Sequence, residues 1–258
     1  MSGLAQLLNR LREATIAAAP LPSQEGEQLD VVQGYCLLCQ ALQQRRNSGE
    51  KLVGWKVAFA SKAAYERFGL SEPVYGALTD VMQIPARSTV DLERFIQPKL
   101  EVELAFVLTQ NLPADSYTDE QLLAAVGYMA PAFEIADSRW QGWRFSAGAF
   151  LADNACAAAF CLGELHPFDA MQAARLEYSL YSDDALLAKG SLGERDDTPL
   201  RNLCWLLRRL LADGYDLESG QIILSGLLLP PMDLKPNHYQ LDLLGSQLAL
   251  TFTSASPA

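Results

Sequence analysis

The chain has 258 residues, 50% of them hydrophobic and 20% charged, and a formal net charge of −11. That is ordinary globular composition, long enough to bury a sizeable core without disulfide staples. The acidic balance, with a pI of about 4.6, disfavours nucleic acid and anionic membranes as partners, since both need a basic patch.

Leu4, Leu7, Leu8 and Leu11 repeat at helical spacing, so residues 3–18 read as an amphipathic helix. Arg10, Arg12 and Glu13 interrupt any apolar segment suited to a signal peptide. No run approaches the roughly 18 apolar residues of a membrane span, so the expected location is the cytoplasm. A second helix is expected over residues 27–46, ending at the polar stretch RRNSGE. It carries Cys36 and Cys39. With no second cysteine pair and no histidine cluster, these read as ordinary reduced thiols rather than a zinc or redox site.

Residues 51–59 (KLVGWKVAF) read as a strand, and Ser61 as the cap of a short helix reaching about Phe68 and closed by Gly69. Residues 72–80 (EPVYGALTD) read as a turn-rich passage. A strand begins at Leu100, where Leu100, Val102, Leu104, Phe106 and Leu108 alternate with other residues at period two. A capped helix over 118–126 and strands over 127–137, 153–163 and 173–183 follow. The clearest amphipathic helix spans 198–213, with Leu200, Leu203, Cys204, Leu207, Leu210 and Leu211 on one face. Strands at 221–225 and 238–252 complete the chain. Helices first and strands later, with little alternation, argue for an α+β or mainly-β fold.

Glu101 and Glu103 fall on the same face of the strand that starts at Leu100, beside Ala105 and Val107. Glu134 shares its strand face with Ala132 and Ala136. Carboxylates on covered faces are expensive unless something positive lies between them. Three carboxylates with no nearby histidine suit a hard cation such as Mg²⁺ or Mn²⁺. A solvated face, or neutralisation by Lys56, Lys99 or Arg139, is the competing reading. Lys56 lies between Trp55 and Val57 and is either an acid/base group with a perturbed pKa or half of a structural ion pair. Asp80 is either a helix cap or a catalytic acid/base. Asp153 and Asn154 suit turn chemistry. His166 and His238 sit beside prolines and read as loop residues. Neither a serine triad nor a glycine-rich phosphate loop is visible.

The segments GWKVAFAS, YGALTD, QPKLEVELAFVL, PAFEIADSR and ADNA occur in an order that resembles the 2-oxopent-4-enoate hydratases and their 4-oxalocrotonate decarboxylase relatives in the fumarylacetoacetase superfamily. The resemblance runs from about residue 27 to 252. It implies one fumarylacetoacetase-like domain over residues 1–258: a helical N-terminal segment (1–50) and a β-rich catalytic core (51–258) built on a rolled mixed β-sheet with flanking helices. It implies Glu101, Glu103 and Glu134 as ligands of Mg²⁺ or Mn²⁺, and Lys56 and Asp80 in proton transfer. It also implies a small 2-hydroxy-dienoate or 2-oxo acid substrate, a homo-oligomer, and association with a paralogous decarboxylase or hydratase. The expected reaction is hydration of 2-hydroxypenta-2,4-dienoate. Decarboxylation of 2-oxohex-3-enedioate and a non-catalytic binding or assembly subunit are the alternatives; for the diacid, Arg139 or Arg144 would meet the second carboxylate. The chain departs from the family at Cys156 (often Ser), at RDDTP over 195–199 (often a loop with histidine), and after residue 226, where a Gly-Asp turn is common.

Overall fold

The computed structural model describes residues 3–192, 195 and 197–254. Two helices lead the chain, α1 (Gly3–Ala17) and α2 (Val31–Asn47). The second starts later than its hydrophobic pattern suggests because Asp30 caps it: its carboxylate accepts from Gln33 N, and the Gln33 side chain accepts from Asp30 N. Then come β1 (Leu52–Ala58), α3 (Lys62–Arg67), β2 (Val74–Thr79), β3 (Thr89–Asp91), β4 (Lys99–Leu108), α4 (Asp119–Ala124) and β5 (Val126–Ala136). The chain continues through α5 (Ala147–Ala152), β6 (Ala157–Leu162), β7 (His166–Pro167), α6 (Ala170–Ala173), β8 (Glu177–Ser182) and β9 (Ala185–Ser191). It ends with α7 (Pro199–Ala212), β10 (Ile222–Leu227), β11 (Met232–Asp233), β12 (Asn237–Leu243) and β13 (Ser246–Thr253).

The strands form two mixed sheets. The first runs β2-β1-β10-β4-β5-β6, with β11 beside β4 and β7 beside β5; the second runs β3-β13-β12-β8-β9. The first sheet is rolled. Ile84 N, just beyond β2, donates to Phe160 O of β6 at 2.7 Å, so the two ends of the sheet meet. Its outer face carries Trp55, Val57, Val102 and Leu104, in one apolar cluster with α7 and the second sheet. Its inner face is plugged by a smaller cluster that includes Leu78, Met82, Ala105, Phe160 and Leu224. This is the α+β architecture expected, with the rolled sheet at its centre. Among the described residues, no helix is long and apolar enough to cross a membrane.

Four local expectations need correction. Residues 74–79 are not a turn but the fully buried strand β2. Gly76 within it is needed for close packing: a Cβ there would meet Asn154 O at 2.6 Å. The helix α5 went unseen because it is buried on nearly every side and shows no polar face. The strand expected from 153 begins only at Ala157, and Asn154, Ala155 and Cys156 form a turn instead. The histidines are strand residues rather than loop residues. His166 in β7 pairs through Nε2 with Ser246 Oγ at 2.9 Å, and His238 in β12 through Nδ1 with Thr251 Oγ1 at 3.0 Å.

Candidate metal centre

Strand pairing assembles the three glutamates. In the antiparallel β4–β5 register Glu101 stands opposite Glu134, and Glu103 lies two residues further along the same face. One oxygen from each carboxylate lies within 4.8 Å of the others. Lys56 reaches the same place from β1, which is joined to β4 through β10. Its Nζ lies 2.9 Å from Glu134 Oε1, with both side chains withdrawn from solvent. All four residues project from the inner face of the roll, directly above the apolar plug.

Burial governs the electrostatics. It raises the pKa of Glu134 to about 7 against the opposing pull of Lys56. Burial, with the charges of Glu134 and Glu101 added, drives Glu103 well above the carboxylate range, although Gly226 N donates to its Oε2 at 2.7 Å. Glu101 is also raised by burial, against Lys56 and Lys99. Burial pulls the Lys56 ammonium down, but the three carboxylates together more than offset it and hold it protonated.

A divalent cation fits these residues. Glu103 Oε1 and Glu134 Oε2 are buried and have no hydrogen-bond partner among the described residues, an expensive arrangement for oxygens of this kind. Three ionised carboxylates against one ammonium leave two negative charges for a divalent ion to balance. The donors are all oxygen, which selects hard cations of the Mg²⁺ and Mn²⁺ class.

The cluster opens on a cavity of about 420 Å³. Its polar wall includes Lys56, Lys99, Glu101 and Asp197, and Arg67 lies at its rim. Its apolar wall includes five aromatic rings, Phe59, Phe68, Trp143, Phe145 and Phe150. Several lining residues hold left-handed backbone: Phe59 (φ 52°), Trp143 (φ 56°), Ala155 (φ 51°) and Cys156 (φ 58°). Such conformations are rare for residues with side chains and concentrate at functional sites. Burial raises the Cys156 thiol well above its usual range and keeps it neutral.

The structure does not bring Asp80 to this cluster. It lies just past the end of β2, four residues beyond Gly76, the partner of Lys56, with buried Leu78 of the apolar plug between them. Its carboxylate accepts from Lys51 N at 2.9 Å and Val81 N at 3.0 Å, as a turn cap does. Arg139 is likewise committed elsewhere: its guanidinium pairs with buried Asp153 and bonds Asp153 O at 2.6 Å. It therefore neither neutralises the glutamates nor lines the cavity, and Arg144 does not line it either. Of the divergent loop, Arg195 grips Asp197 and the carbonyls of Leu227 and Leu228, whereas Asp196 lies outside the described residues. The aromatic wall is not visible in the sequence pattern. Its rings come from three separated segments, and only the aromatic density of WQGWRFSAGAF hints at it.

No family model matches the sequence. Over 229 residues the chain is 34% identical to the 2-hydroxyhexa-2,4-dienoate hydratase of Comamonas testosteroni, covering 86% of each chain. Over 246 residues it is 33% identical to the 2-keto-4-pentenoate hydratase of Burkholderia vietnamiensis, covering 91% of this chain and 90% of that one. A 4-oxalocrotonate decarboxylase from a Pseudomonas species is 29% identical over 234 residues, covering 90% and 91%. The 4-oxalocrotonate decarboxylase of Pseudomonas putida G7, solved with magnesium and adipate, superposes with a TM-score of 0.89 over 97% of both chains at 22% identity.

Proposed function

Since the chain belongs to the family of 2-keto-4-pentenoate hydratases and 4-oxalocrotonate decarboxylases, in the fumarylacetoacetase superfamily, we propose that it is a divalent-cation-dependent hydro-lyase that adds water to a 2-hydroxy-2,4-dienoate. The parent reaction converts 2-hydroxypenta-2,4-dienoate and water into 4-hydroxy-2-oxopentanoate. The observation that carries this reading is the Glu101–Glu103–Glu134 cluster, with Glu103 and Glu134 buried and Glu101 half-buried, and Lys56 set against it at the head of a cavity.

Glu101, Glu103 and Glu134 would hold the cation, Mg²⁺ or Mn²⁺. When bound, the cation supplies a Lewis acid for the substrate carboxylate and 2-oxygen, where negative charge develops. The chain's own residues do the rest. Lys56 Nζ, kept as an ammonium by the carboxylates, delivers a proton to the terminal carbon of the dienol and is reprotonated by the proton that leaves the 2-hydroxyl, giving the 2-oxo-3-enoate; the added water then supplies its hydroxyl to C4 and its proton to C3. The aromatic wall excludes bulk water from the conjugated chain, so that a single water adds at C4. Asp80 is assigned no contact with substrate. The same family membership is the ground for proposing a homo-oligomer.

The test is loss of dienol ultraviolet absorbance with Mg²⁺ or Mn²⁺ and with EDTA, for the wild type and for Glu103→Gln. Metal-dependent formation of 4-hydroxy-2-oxopentanoate, lost in the variant, is the expected result. Turnover untouched by EDTA, or by the variant, sinks the reading. Decarboxylation of a 2-oxohex-3-enedioate is the second reading, favoured by the Pseudomonas decarboxylase relative. Carbon dioxide release from the diacid decides between them.

A further inference from the structure

We propose that the five-ring wall of the cavity is a distal subsite that selects dienoates whose far end carries an uncharged hydrocarbon group of several carbons. The preference is over the unsubstituted five-carbon substrate and over a diacid. The inference rests on the proposed substrate head group, a 2-oxo or 2-hydroxy carboxylate held at the glutamate cluster.

The rings form a continuous stack. Phe59 lies 4.3 Å from Phe68 and 4.2 Å from Phe150, centroid to centroid, with interplanar angles of 12° and 24°. Phe145 contacts Phe68 at 5.8 Å and Phe150 at 5.1 Å, and Trp143 contacts Phe145 at 6.3 Å. Although each ring packs on another, Phe59, Phe68, Trp143 and Phe145 remain only partly buried while lining the cavity. Apolar surface left open in a pocket invites an apolar ligand.

Position ties the wall to the chemistry. Phe59 follows Lys56 by three residues, one past the end of β1, and both line the cavity, so the stack begins beside the cluster. Phe59 and Trp143 are both held in left-handed backbone, an unfavourable conformation for bulky side chains. Strain at two rings of one wall indicates that their placement matters beyond core packing.

The charges argue against a terminal carboxylate in this subsite. Lys99 is already engaged by Asp233 and lies over the Trp143 ring. Arg67 sits in an exposed position at the rim, and Asp197 in the cavity wall is already held by Arg195. Ring faces carry negative quadrupole potential, and an anion placed against them loses its hydration without return.

The experiment measures binding first and turnover second. Calorimetry with Mg²⁺ present compares 2-oxopentanoate, 2-oxooctanoate and 2-oxooctanedioate on the wild type, Phe68→Ala and Phe68→Leu. Each methylene buried is worth roughly fourfold in affinity, so 2-oxooctanoate is expected to bind at least tenfold tighter than 2-oxopentanoate and tighter than the diacid. Phe68→Ala is expected to remove most of that margin and Phe68→Leu to keep part of it. Equal binding of the two monoacids, tightest binding of the diacid, or a margin unaffected by Phe68→Ala overturns the subsite. Catalytic efficiency should show the same margin when the eight-carbon 2-hydroxy-2,4-dienoate is compared with its five-carbon parent. Should no dienoate turn over while the binding margin stands, the hydratase reading fails and the subsite remains.

Discussion

Lys56 Nζ lies 2.9 Å from Glu134 Oε1, and the two side chains are 3% and 0% exposed. The ammonium is set among three clustered carboxylates, and the paired residues are separated by 78 positions in sequence. The pair couples the stability of the cluster to its chemistry, because the charge that neutralises Glu134 is also the proton held beside the cavity.

Replacing Lys56 with Met should therefore have two separable effects. Breaking a buried ion pair leaves uncompensated charge and costs about 3–5 kcal/mol. Urea unfolding in EDTA at about pH 8 should show that loss, and saturating Mg²⁺ should restore much of it by replacing the missing positive charge. Turnover with Mg²⁺ should nevertheless stay depressed, by about 10²–10⁴-fold, the usual worth of a positioned proton donor. Unaltered stability in EDTA would show that the pair is not formed.

The cluster also sets a pH dependence. Glu134 is raised from 4.5 to about 7 by burial, and Glu103 is raised by burial and its carboxylate neighbours. Between those values the cation-free fold binds more protons than the unfolded chain. Its stability is then greatest toward the acid end of that window and falls as pH rises through 7. A divalent cation needs the ionised form, so its binding releases protons and strengthens over the same interval. Melting temperatures at about pH 6 and 8, with EDTA and with Mg²⁺, should show the increment due to Mg²⁺ growing with pH. An increment independent of pH would contradict the assignment of these carboxylates as ligands.

The Arg139–Asp153 pair tests a different part of the fold. Asp153 precedes the left-handed turn of Asn154, Ala155 and Cys156, and its carboxylate also accepts from Arg139 N at 2.8 Å. Asp153→Asn should cost about 3–5 kcal/mol by stranding a buried guanidinium, read by denaturant unfolding. Because the turn lines the cavity, substrate affinity should weaken as well. Full stability in the variant would show that the pair is dispensable.

Asp80 offers a contrast with Lys56. As a turn cap accepting two backbone N–H groups, its replacement by Ala should cost on the order of 1 kcal/mol, with turnover falling less than tenfold. A much larger loss of kcat with unchanged melting temperature would return Asp80 to proton transfer and imply that the chain rearranges around substrate.

Strand alternation by itself placed Glu101 and Glu103 on one face and marked that face as covered, since side-chain direction in a strand follows from local geometry alone. The cap at Ser61 and the capped start of the helix at Thr118 were legible for the same reason: a cap satisfies backbone groups within its own turn. The same pattern singled out Glu134 as a third carboxylate and Lys56 as an acid/base group or half of an ion pair, and the family resemblance implied their roles in metal binding and proton transfer. Tertiary structure decided which cation meets which carboxylate. Lys56, Lys99 and Arg139 were equivalent candidates by pattern, yet pairing through β10 brings Lys56 into contact with Glu134, while Asp233 and Asp153 engage the other two. The buried strand β2, the left-handed turn and the aromatic wall were hidden because each depends on contacts between distant segments. The segment around Gly76 looks turn-rich until Asn154 packs against it, and Phe59, Phe68 and Phe150 form one surface only when β1, α3 and α5 come together.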